Sequence, residues 1–190
     1  NADRGEGLFN SGTTLAQLGQ FSEAETALRA VIGMAPHFTA AYINLADVYR
    51  QTGREDEAEN LLRSAVETNP ADSAGHFALG LSLVRSQRLT AALESLDEAA
   101  SLTPDDPYYQ YVIGIALNST GERVASITRL RETHERFPGH RDTLFALATI
   151  HRDGDELEQA VLYARRLLEL SPADAPARAL LTELEATAAR

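Results

Sequence analysis

The chain has 190 residues, no cysteine and a formal net charge of −11. Without thiols there is no disulfide framework and no thiol chemistry, and the acidic balance argues against a nucleic-acid partner, which needs a basic stripe. No apolar run nears the roughly 20 residues that cross a bilayer, so no membrane partner is expected.

Asn1-Ala2 stands where an initiator Met would be and resembles a cloning scar, so a piece excised from a larger protein is expected, without a signal peptide. All 17 basic residues are arginine. With the abundant alanine, this suggests a high-GC bacterial genome and leaves cytoplasm and periplasm both open.

Five prolines, Pro36, Pro70, Pro104, Pro138 and Pro172, stand 34 residues apart and mark off segments 5–38, 39–72, 73–106, 107–140 and 141–174. That is the period of a helix–turn–helix array, and each segment holds two stretches with apolar residues at helical spacing. In the first, Gly19 is expected to end one helix in a left-handed conformation, and Ser22 with Glu25 has capping-box spacing for the next. In the second, helices are expected over about 40–51 and 56–68, with Gly53 between them and Asp56 with Glu59 as a second capping box. The third has Gln87 in the glycine column. The fourth opens on Asp106-Pro107, a capping side chain followed by a proline at the first helical position, and has Gly121 at its turn. The fifth has Asp155 in that column with Gly154 one place earlier, so a shifted turn is considered for the third and fifth. After Pro172 a last helix is predicted over 175–189, with Leu180, Leu181 and Leu184 on one face. Thr182 and Glu185 occupy the columns where a stacked repeat needs a small and a large apolar residue. That fits a capping helix over 175–190, with a truncated sixth repeat as the alternative.

Aligned, the segments agree at further columns. The seventh reads Ser11, Leu45, Leu79, Ile113, Leu147; the eighth Gly12, Ala46, Gly80, Gly114, Ala148; the eleventh Leu15, Tyr49, Leu83, Leu117, His151. The twentieth reads Ala24, Ala58, Ala92, Ser126, Ala160, and the twenty-fourth Leu28, Leu62, Leu96, Leu130, Ala164. Small residues at the eighth and twentieth columns let paired helices approach, and the larger ones fill the space between them. Over residues 5–174 the pattern resembles the tetratricopeptide repeat (TPR) family without a gap. The resemblance implies an all-α fold: a right-handed α-solenoid, or superhelix, of stacked antiparallel helix pairs, as a single domain over residues 1–190.

It also implies where function lies. In the family the first helix of each repeat lines a concave groove, chiefly through its second, fifth, sixth, ninth, twelfth and thirteenth positions. The fifth column here reads Phe9, Ile43, Phe77, Tyr111, Phe145, and Leu81, Val84, Tyr108, Val112 and Ile115 continue the apolar theme. Asn10 and Asn44 stand where some family members carry an asparagine ladder for peptide backbone, which stops here at Ala78. The alternative is that the fifth column packs on the adjacent helix and is core. Family members that clamp the C-terminal carboxylate of cytosolic heat-shock chaperones use Lys, Asn and Arg at five such positions. This chain offers Phe9, Thr13, Asn44, Ala74 and Ala78, of which only Asn44 matches, so that partner is not expected.

Only the fourth segment has a positive balance, from Arg123, Arg129, Arg131 and Arg136; with Arg141, His134 and His140 it forms the one basic region. It reads either as a docking patch for an acidic partner or as a solvated helix paired with neighbouring glutamates. His37 and His140 fall in joining turns, and His76 and His151 at columns that pack between helices in the family. No HExxH, GxSxG or Gly-rich phosphate loop is present, so no catalytic residue, metal or cofactor is expected. The expectation is a non-enzymatic scaffold that binds a protein or peptide in a centrally apolar concave groove. Two other readings stay open. One is a structural or regulatory module of a larger bacterial enzyme or multihaem electron-transfer protein, since the repeats resemble arrays attached to some bacterial multihaem cytochromes, although no haem-binding CxxCH is present. The other is self-association as a homo-oligomer.

Overall fold

The helices follow the proline ladder. The computed structural model describes residues 2–188, with side chains from residue 4. In chain order the helices are α1 (Ala2–Gln17), α2 (Phe21–Met34), α3 (Thr39–Gln51), α4 (Glu55–Thr68), α5 (Ser73–Arg85), α6 (Leu89–Leu102), α7 (Pro107–Ser119), α8 (Arg123–Arg136), α9 (Arg141–Asp153), α10 (Leu157–Leu170) and α11 (Ala175–Ala188). Pro36, Pro70, Pro104, Pro138 and Pro172 all lie in the turns after the second helix of a pair, because a residue without an N–H cannot continue a helical ladder. Residues 189 and 190, assigned to the last helix from sequence, lie outside the described residues.

The contacts group into two compact units, residues 1–104 with α1–α6 and residues 105–190 with α7–α11. Within each unit every helix packs on its chain neighbours, and the first helices of successive pairs also touch, α1 with α3, α3 with α5, and α7 with α9. This neighbour-only packing of helix pairs is the α-solenoid pattern. Leu28, Leu45, Leu62 and Leu83 centre the core of the first unit. Leu130, Leu147 and Leu167 centre that of the second, joined by Ala177, Leu180 and Leu184 from α11.

The eighth-column glycines are points of close approach. A Cβ on Gly80 would stand 2.6 Å from Leu96 Cγ, and one on Gly114 2.5 Å from Leu130 Cγ. Both distances are well inside van der Waals contact, so a side chain there must displace Leu96 or Leu130 or part the helices. At the twentieth column Ala24, Ala58, Ala92, Ser126 and Ala160 are buried, and the Ser126 hydroxyl donates to the Gly114 carbonyl at 2.7 Å.

The turn inside each pair closes one way throughout. Gly19, Gly53 and Gly121 take φ of 75°, 75° and 90°, and Gln87 and Asp155 take 57° and 59°. The turns of the third and fifth repeats are therefore not shifted: Gly154 stays at φ −99° and Asp155 bears the left-handed conformation. The next residue then donates its N–H five residues back, Gln20 to Leu15, Arg54 to Tyr49, Arg88 to Leu83, Glu122 to Leu117 and Glu156 to His151, at 2.8–2.9 Å, the Schellman closure. That same residue is the N-cap of the following helix, and none of the five caps with its side chain. The capping boxes expected at Ser22–Glu25 and Asp56–Glu59 are thus absent. α2 and α4 begin at Phe21 and Glu55, which places Ser22 and Asp56 inside the first turn. The link between pairs is looser and does admit a cap. Asp72 and Asp106 accept from the Ala74 and Tyr108 N–H groups at 2.9 Å, with Pro107 at the first helical position.

Candidate functional site

The residues singled out from sequence stand on the first helices of the pairs. In the first unit, Phe9 on α1 and Ile43 on α3 are half-buried against the core, and Phe77 and Leu81 on α5 are half-buried as well. In the second unit, Tyr111 on α7 and Phe145 on α9 pack partly against the core. The fifth column therefore divides each side chain between core and surface. Asn10 is exposed. Asn44 donates its amide to the Thr13 hydroxyl at 2.8 Å, and that hydroxyl donates to the Phe9 carbonyl at 2.9 Å, so Asn44 ties α3 to α1.

The exposed apolar groups gather on α7. Tyr108 is 47% exposed and Ile115 37%, with half-buried Tyr111 between them in sequence. The Tyr108 and Tyr111 rings lie 6.2 Å apart, and Tyr111 meets His140 edge-on at 5.7 Å. Burial pushes the Tyr111 hydroxyl above its ordinary pKa, which keeps it a neutral phenol. On α9 the Arg141 guanidinium lies 5.3 Å over the Phe145 ring.

A cavity of about 660 Å3 opens beside Phe9 and Asn10 in the first unit, lined also by Val31, Met34 and Phe38. Phe38 packs edge-on against Phe9 at 4.8 Å. The sequence reading missed Met34 and Phe38, although a signal existed. Two places after each ladder proline the chain has Phe38, Asp72, Asp106, His140 and Asp174, and only Phe38 is neither a capping residue type nor titratable.

Much of the basic stretch is neutralised within the second unit. Arg123 bonds Glu156 at 2.9 Å and the Ile150 carbonyl at 3.2 Å. Arg136 meets Asp105 at 3.4 Å, and Arg141 meets Asp174 at 2.6 Å. Arg123, and then His151, hold the Glu156 carboxyl down at about 2, and Arg141 holds Asp174 low. These arginines fit the reading as a paired helix surface. His140 shares a hydrogen bond with the Thr143 hydroxyl at 2.7 Å, and His37 bonds the Thr68 carbonyl at 2.9 Å. His76 is half-buried and bonds the Pro70 carbonyl at 2.9 Å. Among the described residues no three His, Asp or Glu side chains converge as metal ligands, and no helix is long and apolar enough to cross a membrane.

Two family models described as Tetratricopeptide repeat match the chain, one over residues 15–80 and the other over 56–107, 77–127 and 111–175. No curated protein sequence is significantly similar to it. Among solved structures, PilF of Pseudomonas aeruginosa aligns at TM-score 0.74 and 16% identity, over 98% of this chain and 85% of that one. MamA aligns at 0.70 and 20%, over 93% and 96%. YrrB, described as a TPR protein with an unusual peptide-binding site, aligns at 0.62 and 19%, over 90% and 88%. At such identities the likeness carries the fold alone.

Proposed function

This chain belongs to the tetratricopeptide repeat family, and on that premise we propose that it is a non-enzymatic scaffold holding a segment of another polypeptide against the first helices of its repeats. Membership of this family implies a protein-interaction scaffold; the face, the anchors and the absence of catalysis are our reading. The observation that carries it is the strip on α7, where Tyr108 and Ile115 stay exposed beside Tyr111 in a molecule of net charge −11. Exposed apolar groups clustered on one face mark interaction sites, and tyrosine gives large contact area at little entropic cost. Phe145 would extend the contact within the second unit, and Phe9, Asn10, Ile43, Asn44, Phe77 and Leu81 are the corresponding candidates in the first, at the fifth, sixth and neighbouring columns. The acidic charge favours a segment whose anchors are flanked by basic residues. That YrrB carries a peptide-binding site agrees with this choice of ligand class.

The test is selection of binding peptides from a random displayed library, followed by titration of Tyr108→Ala with Ile115→Ala. Both side chains are substantially exposed, so helical content by circular dichroism should be unchanged while affinity falls by about 2 kcal/mol or more. Unchanged affinity removes α7 as the face, and a concentration-dependent mass by light scattering, with no peptide selected, favours self-association instead. The unbroken 34-residue period also supports one domain over residues 1–190, which a single calorimetric transition of matching van't Hoff enthalpy would bear out.

A further inference from the structure

The second unit holds a polar cavity that the peptide-binding reading does not use. It encloses about 620 Å3 and is lined by Arg131, His134 and Glu135 from α8, His151 from α9, and Tyr163 and Arg166 from α10, among others.

Its charges are arranged unlike those around it. Arg123, Arg136, Arg141, Arg152 and Arg165 each hold a carboxylate within this unit. Arg131 forms no hydrogen bond or ion pair among the described residues. Arg166 lies 5.5 Å from the Tyr163 ring centre and donates to His134 Nε2 at 3.2 Å, with no carboxylate partner. Glu135 shares the lining but pairs with neither arginine. Two guanidinium groups therefore face one cavity against one carboxylate, in a chain whose balance is strongly acidic.

The imidazoles add a second, independent mark. His151 is 6% exposed and stacks on Tyr163 at 5.5 Å and 12°. Its Nδ1 donates to the Glu156 carboxylate, and its Nε2 is buried without a partner. His134 meets the same tyrosine ring edge-on at 6.2 Å. Because its Nε2 accepts from Arg166, its proton sits on Nδ1, which is also buried without a partner. Burial, and then the Arg166 charge, lower the His134 pKa and keep that ring neutral. Buried polar atoms without partners are disfavoured and uncommon, and here two of them belong to side chains that line one polar cavity, where a single ligand could satisfy both. The set is three donors, the Arg131 and Arg166 guanidinium groups and the His134 Nδ1–H, with one acceptor, His151 Nε2.

We propose that this cavity binds a small phosphate-bearing molecule through a phosphate group in its monohydrogen form, whose anionic oxygens accept from Arg131, Arg166 and His134 while its P–OH donates to His151 Nε2. Arginine is suited to such planar, multidentate oxyanion recognition. A carboxylate or sulfate ion lacks the hydroxyl hydrogen, so the histidine acceptor makes the discrimination.

The test follows the imidazole 15N–1H correlations of the full chain near neutral pH as inorganic phosphate is added at constant ionic strength, with sulfate and acetate as parallel probes. The expected result is a saturable shift of both His134 and His151 with phosphate and a several-fold weaker response to sulfate and acetate. Arg131→Gln alone, at an exposed side chain, should weaken phosphate, and Arg131→Gln with Arg166→Gln should weaken it about tenfold or more. Non-saturating shifts, equal responses to sulfate, or an affinity in the double variant equal to wild type would each overturn the proposal.

Discussion

The two units meet the same problem with opposite charges. In the first, Glu25 on α2 and Glu59 on α4 are the acids, and the arginines that start the next second helix, Arg54 and Arg88, reach back to them. In the second, Arg123 begins α8 and the acid is Glu156, the N-cap of α10. The geometry explains why the sign can change. The Schellman closure makes the residue after the left-handed position the N-cap of the second helix and leaves its side chain uncommitted, so it can reach the preceding repeat. An acid there sits well at the positive end of the helix dipole, whereas Arg54 and Arg88 sit poorly and depend on the facing glutamates. Where Glu25 and Glu59 stand in the first unit, Ile127 and Val161 stand in the second, and the acid moves to the cap. The eleventh column repeats the lesson. Tyr49 and His151 are its two polar members, and each is bonded to a carboxylate, Tyr49 to Glu25 at 3.1 Å and His151 to Glu156. The tyrosine has one polar atom and it is satisfied. The histidine has two, and the second is left over.

The strongest way to break this comparison is to unbalance the units. Truncation before Ala175 removes Leu180, Leu184 and Ala177 from the core of the second unit alone. It should cost on the order of 4 kcal/mol and promote association, read by thermal melting and light scattering; an unchanged monomer of equal stability would deny α11 its covering role. Next in size, Gly114→Leu in one unit and Gly80→Leu in the other should each cost about 3 kcal/mol by overpacking. Ala46→Gly, at the same column, should cost only about 1 kcal/mol. A melting curve for Gly114→Leu that matches wild type would reject the eighth column as the close approach.

The ion pairs should separate by pH. Arg54, outweighing the opposing effect of burial, together with Arg29 and Tyr49, holds the Glu25 carboxyl at about 2 against an ordinary 4.5. A depressed acid stabilises the fold above its unfolded pKa, and that contribution disappears as pH falls from 4.5 towards 2. Glu25→Gln should therefore cost about 1 kcal/mol at neutral pH and almost nothing at the acid end, measured by urea unfolding across that range. A pH-independent difference would mean that Glu25 acts through packing. Glu156, held equally low by Arg123 and His151, should show the same direction. The smallest effect is a gain. Gln87→Gly and Asp155→Gly relieve left-handed backbone and should stabilise by about 1 kcal/mol or less, Gln87→Gly by more, since Asp tolerates that region better. Loss of stability at either position would show that the side chain, and not the backbone, sets that turn.

The proposed peptide-binding face was only half legible. Helical spacing puts Ile43, Phe77 and Phe145 on one stripe, but a stripe towards the core and one towards a ligand have the same period. Only the packing separates exposed Tyr108 and Ile115 from Ile43 and Phe145, which lie partly against the core. The polar cavity was illegible for a different reason. Arg131, His134, His151 and Arg166 come from three helices, and no local pattern brings them together.

The sequence by itself determined the order of the helices, the five proline links, the close approaches at Gly80 and Gly114 and the left-handed turns at Gly19, Gly53 and Gly121, because each depends on one residue's backbone freedom or volume, repeated at a fixed period. Tertiary structure alone decided which charged residues of different repeats pair with one another and which histidine nitrogens remain unsatisfied. The pairings between repeats join residues 20 to 33 apart in the chain, which no local pattern specifies, whereas the expected capping boxes failed because the turn closure takes the capping position before a capping side chain can use it.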